Sequence, residues 1–99
     1  MKHFIIEIIY KVPLEKVNEV LPLHREYLKT GYEKSIMLAS GRQASLKGGI
    51  LIARANSEEE IREFSAKDPY YTNGCADYRF IEFNPVLHQE FLNDWIEGK

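Results

Sequence analysis

The segment KHFIIEIIY, residues 2–10, restricts the fold of this chain more than any other. Its β-branched and aromatic side chains favour an extended strand. Successive side chains of a strand point to opposite faces of the sheet. One face would carry Phe4, Ile6, Ile8 and Tyr10, and the other His3, Ile5, Glu7 and Ile9. Because both faces are largely apolar, we expect both to be covered.

A long helical pattern follows this strand, starting at Pro13. Its apolar positions recur every three or four residues, which is typical of an amphipathic helix: Val17, Val20, Leu21, His24, Tyr27 and Leu28. Pro22 lies inside the pattern and lacks the amide donor of a helical residue, so a kink or a break is expected near Asn18–Leu21. Gly31 is the predicted C-terminal cap.

The rest of the chain is predicted to form two strands, a helix, a strand and a final helix. Residues 34–40 and 48–55 are predicted strands joined by a hairpin connection over 41–47. Ser57 and Glu60 form a capping box for a second helix. That helix should end at Asp68-Pro69 because the residue before a proline avoids helical angles.

Residues 70–99 are predicted to contain a loop, a strand and a final helix. Residues 70–74 are predicted as a loop and residues 75–83 as the fourth strand. A last helix should begin at Pro85, with an apolar ridge of Leu87, Phe91 and Trp95 at four-residue spacing.

This order, βαββαβ with a terminal helix, predicts a ferredoxin-like α+β fold with a four-stranded antiparallel sheet. Both main helices should cover one face of the sheet. The other face would expose apolar side chains, and pairing two such faces in a homodimer would bury them. The alternative is that the C-terminal helix folds back over its own sheet, although one short helix covers only part of four strands.

The composition argues against nucleic acid and membranes as binding partners. The 99 residues form one domain, 1–99, and their net charge of −2 leaves no basic footprint for nucleic acid. No apolar run approaches the about 20 residues of a membrane span, and the start of the chain lacks a signal-peptide pattern. The single cysteine, Cys75, cannot form an internal disulfide, which favours a reducing cytoplasm.

Two titratable residues stand out as candidates for acid–base chemistry. His24 lies on the apolar stripe of the first helix, so its imidazole should point into the protein, where it could carry a proton or simply be a hydrogen-bonded core residue. Asp68 could orient an imidazole and stabilise its cation, or merely terminate a helix.

A third candidate is Ser40-Gly41-Arg42 at the end of a predicted strand. Glycine lets a ligand approach the backbone closely, and Arg42 and Lys47 could hold a carboxylate or phenolate. An ordinary solvated hairpin is the alternative. No metal-ligand spacing, phosphate loop or dinucleotide motif is present, so no metal or cofactor is expected.

These landmarks together resemble the YciI-like (YCII) family over nearly the whole chain. The resemblance rests on five segments in order: FIIEIIY, Pro22–Leu28 (PLHREYL), Ala39-Ser40-Gly41, Gly48-Gly49 and Asp68-Pro69-Tyr70. It implies a dimeric α+β barrel of ferredoxin-like subunits, similar to muconolactone isomerases, and a small enzyme or ligand binder. Some relatives remove chloride from chlorinated hydroxyquinol-type aromatics.

The family's histidine and the aspartate of its DP motif map onto His24 and Asp68 and imply a catalytic dyad. From this and the residue chemistry above, we expect Ser40, Gly41, Arg42 and Tyr70 to bind substrate. Arg42 replaces the usual proline of the family, and Ala44 and Ser45 stand where an acidic residue is common.

Three hypotheses follow. The first is a cofactor-independent isomerase, dehydrochlorinase or lyase acting on a small cyclic or aromatic substrate. The second is a non-catalytic dimer that binds a small metabolite. The third is a bare dimerisation unit.

Overall fold

A computed structural model describes all 99 residues and shows the predicted α+β architecture. In chain order the elements are β1 (Lys2–Tyr10), α1 (Leu14–Glu33), β2 (Met37–Arg42), β3 (Gly48–Ala55), α2 (Glu58–Ala66), α3 (Pro69–Thr72), β4 (Ala76–Phe83) and α4 (Asn93–Glu97), with a 3₁₀ turn at Glu90–Leu92. The sheet has the order β2-β3-β1-β4, and all three neighbouring pairs are antiparallel. The ferredoxin-like fold predicted from the sequence is confirmed.

β1 lies in the centre of the sheet, as its two apolar faces require. Phe4, Ile6 and Ile8 are buried in one cluster with side chains of α1 and α2, so both helices cover this face. Burying each of these side chains contributes about 1.5–3 kcal/mol. The predicted inward positions of α1 and α2 are also confirmed, and His24 is 7% exposed.

The first helix differs from its prediction in two ways. The sequence predicted a kink or a break, and α1 is one uninterrupted helix that contains Pro22, so a break does not occur. Packing of a 20-residue amphipathic helix against the sheet offsets the about 3 kcal/mol that an internal proline costs. Gly31 is not a cap, because the helix continues to Glu33. A Cβ atom at Gly31 would lie 2.6 Å from Cζ of Phe64, so this glycine allows close packing instead.

Two segments after the helices were also predicted wrongly. Residues 34–36 are not strand, since their amides bond back to carbonyls of α1 and Ser35 has a φ of 60°. Residues 70–72 of the predicted loop 70–74 belong instead to the short helix α3, which begins at Pro69. Asp68 caps α3 by accepting a hydrogen bond from the amide of Tyr70, and Pro69 occupies the first helical position, where a proline is favoured.

The C-terminal helix is much shorter than predicted. Its start at Pro85 is wrong, because α4 begins only at Asn93, and Leu87 and Phe91 are exposed to solvent. A narrow ridge without a packing partner does not stabilise a helix in water. Only Trp95 of the ridge packs inward, with its ring 5.4 Å from that of His3.

The sheet face opposite α1 and α2 stays largely open. α4 covers one end of it, where Arg54 donates hydrogen bonds to the carbonyls of Trp95 (2.6 Å) and Lys99 (3.2 Å). Elsewhere on this face Ile9, Ile81 and Phe83 remain 38–43% exposed. The fold-back of the terminal helix is therefore confined to one end. No helix combines the length and the apolar character needed to cross a bilayer.

Two glycines, one in each strand of the β2–β3 hairpin, offer a matched test of this packing. A Cβ at Gly48 would lie 1.8 Å from the carbonyl oxygen of Ile8, whereas one at Gly41 meets nothing within 4 Å. Gly48→Ala must displace the backbone of β1, so we expect it to lower the free energy of unfolding by about 2 kcal/mol or more. Gly41→Ala should change it by less than about 0.5 kcal/mol. Urea unfolding of both variants measures this, and equal losses would contradict the close approach at Gly48.

Candidate active site

A cavity of about 210 Å³ opens between α1, α3 and the strands β1, β2 and β3. It collects residues that are far apart in the sequence. Those of chemical interest come from α1 (His24, Arg25), from β2 (Ser40, Gly41, Arg42) and from α3 (Tyr70). All four predicted substrate-binding residues and His24 therefore line one cavity, whereas Lys47 does not.

His24 and Asp68 form a buried hydrogen-bonded pair at this cavity. Nδ1 of His24 lies 2.7 Å from Oδ1 and 2.9 Å from Oδ2 of Asp68. Because an ionised carboxylate only accepts hydrogen bonds, Nδ1 carries the proton and donates. Nε2 has no partner within the protein, which leaves its lone pair available to a molecule in the cavity.

The carboxylate of Asp68 is itself held by other donors. Its side chain is 1% exposed and accepts hydrogen bonds from the amide of Tyr70 (3.1 Å) and the hydroxyl of Tyr78 (2.5 Å) as well as from His24. Burial, together with the charge and hydrogen bond of Asp68, raises the pKa of Tyr78 well above its usual value, so its hydroxyl stays a donor.

Tyr78 is a member of the site that sequence reasoning missed. It lies opposite Ile8 in the β1–β4 pairing, so strand alternation places it on the helix-covered face. That alternation could have indicated its face. Its contact with Asp68 depends on how α3 packs against β4, which no local pattern encodes.

Tyr70 forms an aromatic wall beside the imidazole. Its ring stacks on that of His24 at a centroid distance of 3.8 Å and an angle of 8°, and Tyr10 meets it edge-on at 5.8 Å. The hydroxyl of Tyr70 is buried and has no hydrogen-bond partner. Burial and the neighbouring Tyr10 raise the pKa of Tyr70 to about 12, while the guanidinium of Arg42 acts in the opposite direction.

Arg42 lies at the other side of the cavity, where two side chains hold its guanidinium. Its Nε donates to the hydroxyl of Tyr10 (3.1 Å), and its terminal nitrogen donates to Oδ1 of Asn18 (2.9 Å). Hydrogen bonding to Tyr10 raises the pKa of Arg42 further, so the side chain is charged at any physiological pH. Nearby, the Ser40 hydroxyl is hydrogen-bonded to that of Tyr32 at 2.7 Å. No three His, Cys, Asp or Glu side chains come close enough to hold a metal ion.

Two solved structures are similar to this chain in fold. One is 5-chloro-2-hydroxyhydroquinone dehydrochlorinase (TftG) from Burkholderia phenoliruptrix AC1100 in complex with 2,5-dihydroxybenzoquinone, with a TM-score of 0.71 and 20% sequence identity over 90% of this chain and 97% of that one. Another is an antibiotic biosynthesis monooxygenase, with a TM-score of 0.60 and 17% identity over 88% of this chain and 100% of that one. No curated protein matches the sequence.

The chain is thus a small ferredoxin-like α+β protein with a buried histidine–aspartate pair beside a cavity. The family of the YCII-related domain matches residues 1–84, which is most of the chain. The protein belongs to that family.

Asp68 should contribute to stability as well as to the site. Asp68→Ala removes the cap of α3 and leaves buried donors of His24 and Tyr78 unpaired, so we expect a loss of about 2–4 kcal/mol in the free energy of unfolding. Asp68→Asn keeps one carbonyl acceptor and should lose less.

Asp77→Asn is the matched control, because the side chain of Asp77 is 66% exposed and its ion pair with Lys11 lies at the surface. It should change the free energy of unfolding by less than about 0.5 kcal/mol. Urea unfolding of the three variants gives the order, and an Asp68→Ala loss no larger than that of Asp77→Asn would contradict the structural role.

Proposed function

We propose that this protein is a cofactor-independent enzyme in which His24 transfers a proton to and from a small cyclic or aromatic substrate. The observation that carries the proposal is the buried His24–Asp68 pair, whose unpartnered Nε2 belongs to a side chain lining the cavity. Asp68 acts as a positioning residue, because it touches the imidazole and not the cavity.

The chemistry begins with a neutral imidazole. Asp68 accepts the Nδ1 hydrogen and so holds the tautomer that presents a basic Nε2. Nε2 removes a proton from a carbon or hydroxyl of the substrate, and the carboxylate stabilises the imidazolium that forms. The same proton then returns to another atom of the substrate, which is isomerisation, or to a leaving group, which is elimination. Acid–base catalysis of this kind contributes about 10²–10⁴-fold to a rate.

The size and walls of the cavity favour a single ring as substrate. A cavity of about 150 Å³ is large enough for benzene, so the 210 Å³ found here accommodates a six-membered ring with one or two substituents. The stacked rings of His24 and Tyr70 offer an aromatic surface to such a ring. The similar fold that holds 2,5-dihydroxybenzoquinone supports the use of this compound as a probe.

Deuterium exchange at the ring carbons of 2,5-dihydroxybenzoquinone measures the proposed step without requiring a complete reaction. We expect the protein to accelerate exchange from D₂O, as followed by proton NMR, and His24→Gln to reduce that acceleration by about 10²-fold or more. Asp68→Asn should reduce it about tenfold or more, because the imidazole loses the partner that stabilises its cation.

His88→Gln is the matched control, since His88 is an exposed histidine outside the cavity, and it should leave exchange unchanged. Equal rates for the wild type and a folded His24→Gln variant would refute proton transfer by His24. They would leave a metabolite-binding protein as the function of the cavity.

We also propose that the protein forms a homodimer through its open sheet face. On that face the isoleucines and phenylalanine of β1 and β4 stay partly exposed, and α4 covers only one end. Exposed apolar patches of this kind are typical of interfaces, and a two-fold dimer would cover the same patch on both chains. Besides a second copy of the chain, we propose small ring compounds as partners, bound in the cavity beside His24.

Ile81→Lys tests this interface, because it places a charge among the partly exposed apolar side chains of the open face. We expect the wild type to sediment as a dimer at micromolar concentration and Ile81→Lys to weaken association at least tenfold. Leu23→Lys makes the same change at a side chain of α1 that is 58% exposed, and it should remain dimeric. A monomeric wild type, or equal behaviour of the two variants, would contradict the proposed face.

The protein is proposed to act in the cytoplasm. Its single cysteine, Cys75, is a buried free thiol. A lone reduced cysteine is the usual state in a reducing compartment.

A further inference from the structure

The side chains that line the cavity carry positive charge although the whole chain is slightly acidic, and the carboxylate of Asp68 lies behind the imidazole of His24. Arg25 and Arg42 line it, and no aspartate or glutamate does. Neither arginine forms a salt bridge with a carboxylate of the protein, whereas Arg62 and Arg79 at the surface both do. Two unneutralised cations therefore lie beside an imidazole in a chain whose net charge is −2.

A buried donor without an acceptor lines the same cavity. Tyr70 is 2% exposed, and its hydroxyl makes no hydrogen bond in the protein. Buried polar groups in folded proteins are nearly always paired, so an orphaned hydroxyl in a cavity wall indicates that something else supplies its partner. Since a tyrosine with a raised pKa stays protonated, the missing partner is an acceptor.

Arg42 is held ready to bind before any ligand arrives. The bonds to Tyr10 and Asn18 orient its guanidinium next to Tyr70, and no carboxylate of the protein accepts a hydrogen bond from it. The guanidinium also lies 5.7 Å from the centre of the Tyr10 ring. A planar guanidinium held in this way matches a carboxylate or another planar anionic oxygen group.

We propose that the cavity selects an anionic ring compound, whose negatively charged oxygen is bound by Arg42 and the Tyr70 hydroxyl. Arg25 adds positive charge at the exposed side of the cavity and attracts the anion. The ring then lies against the imidazole of His24. The inference rests on the proposed function, since its ligand is the substrate of the same site, and it names the class of that substrate.

Binding of benzoate and benzamide tests the charge preference directly, because the two rings have nearly the same size and differ in charge. We expect the wild type, titrated by NMR at low salt, to bind benzoate at least tenfold more tightly than benzamide. The dianion of 2,5-dihydroxybenzoquinone should bind at least as tightly as benzoate if an enolate oxygen serves as well as a carboxylate. Weaker binding of this dianion would restrict the class to carboxylates.

Three variants assign the preference to residues. Arg42→Gln should reduce the benzoate preference to within about threefold. Tyr70→Phe should weaken benzoate several-fold and benzamide less, because a charged carboxylate is a stronger acceptor than an amide carbonyl. Arg25→Gln, at an exposed position where folding is not at risk, should weaken benzoate about two- to fivefold. Arg62→Gln is the control, because it removes the same charge outside the cavity, and it should have no effect.

The outcomes separate this inference from the proposed function. Equal affinity of the wild type for benzoate and benzamide overturns the inference, whether or not deuterium exchange occurs. A tenfold preference that survives in His24→Gln supports it even if His24 transfers no proton. A preference that is unchanged in both Arg42→Gln and Arg25→Gln also overturns it, because the charge would then act from elsewhere.

Discussion

The buried carboxylate of Asp68 connects the elements around the site. It caps the start of α3 by accepting from the Tyr70 amide, and it accepts hydrogen bonds from the His24 imidazole in α1 and from the Tyr78 hydroxyl in β4. A charge this deeply buried is stable only when several donors surround it. Helix α1, helix α3 and strand β4 must therefore be correctly placed together, and the same requirement that stabilises the carboxylate positions the imidazole.

The two faces of β1 have different roles: one forms the core and the other stays open. Phe4, Ile6 and Ile8 form the core with α1 and α2, and Ile8 also lines the cavity. The opposite face remains partly apolar and open, which suits association. Because alternate residues of one strand serve the two faces, a shift of register by one residue would destroy the core and the site together.

The chemistry of the cavity follows from what surrounds a single imidazole. A partner on Nδ1 leaves Nε2 basic, an aromatic ring stacked at 3.8 Å fixes the ring plane, and arginines supply positive charge without a neutralising carboxylate. Each feature alone is common in proteins. Because all three features lie at one cavity that is large enough for a six-membered ring, proton transfer on a small anion is the function that the geometry supports best.

The sequence alone determined the order of the four strands and the two main helices, the Ser57 cap of α2, the inward direction of His24 and the open face. These features depend on local period and on residue type, which the chain carries directly. Only the tertiary structure decided that Pro22 would not break α1 and that the C-terminal helix would shrink to Asn93–Glu97. It also brought Tyr78 and Arg25 to the site. The physical reason is that these outcomes depend on packing and hydrogen bonds between residues far apart in the chain, whose free energies override local preference.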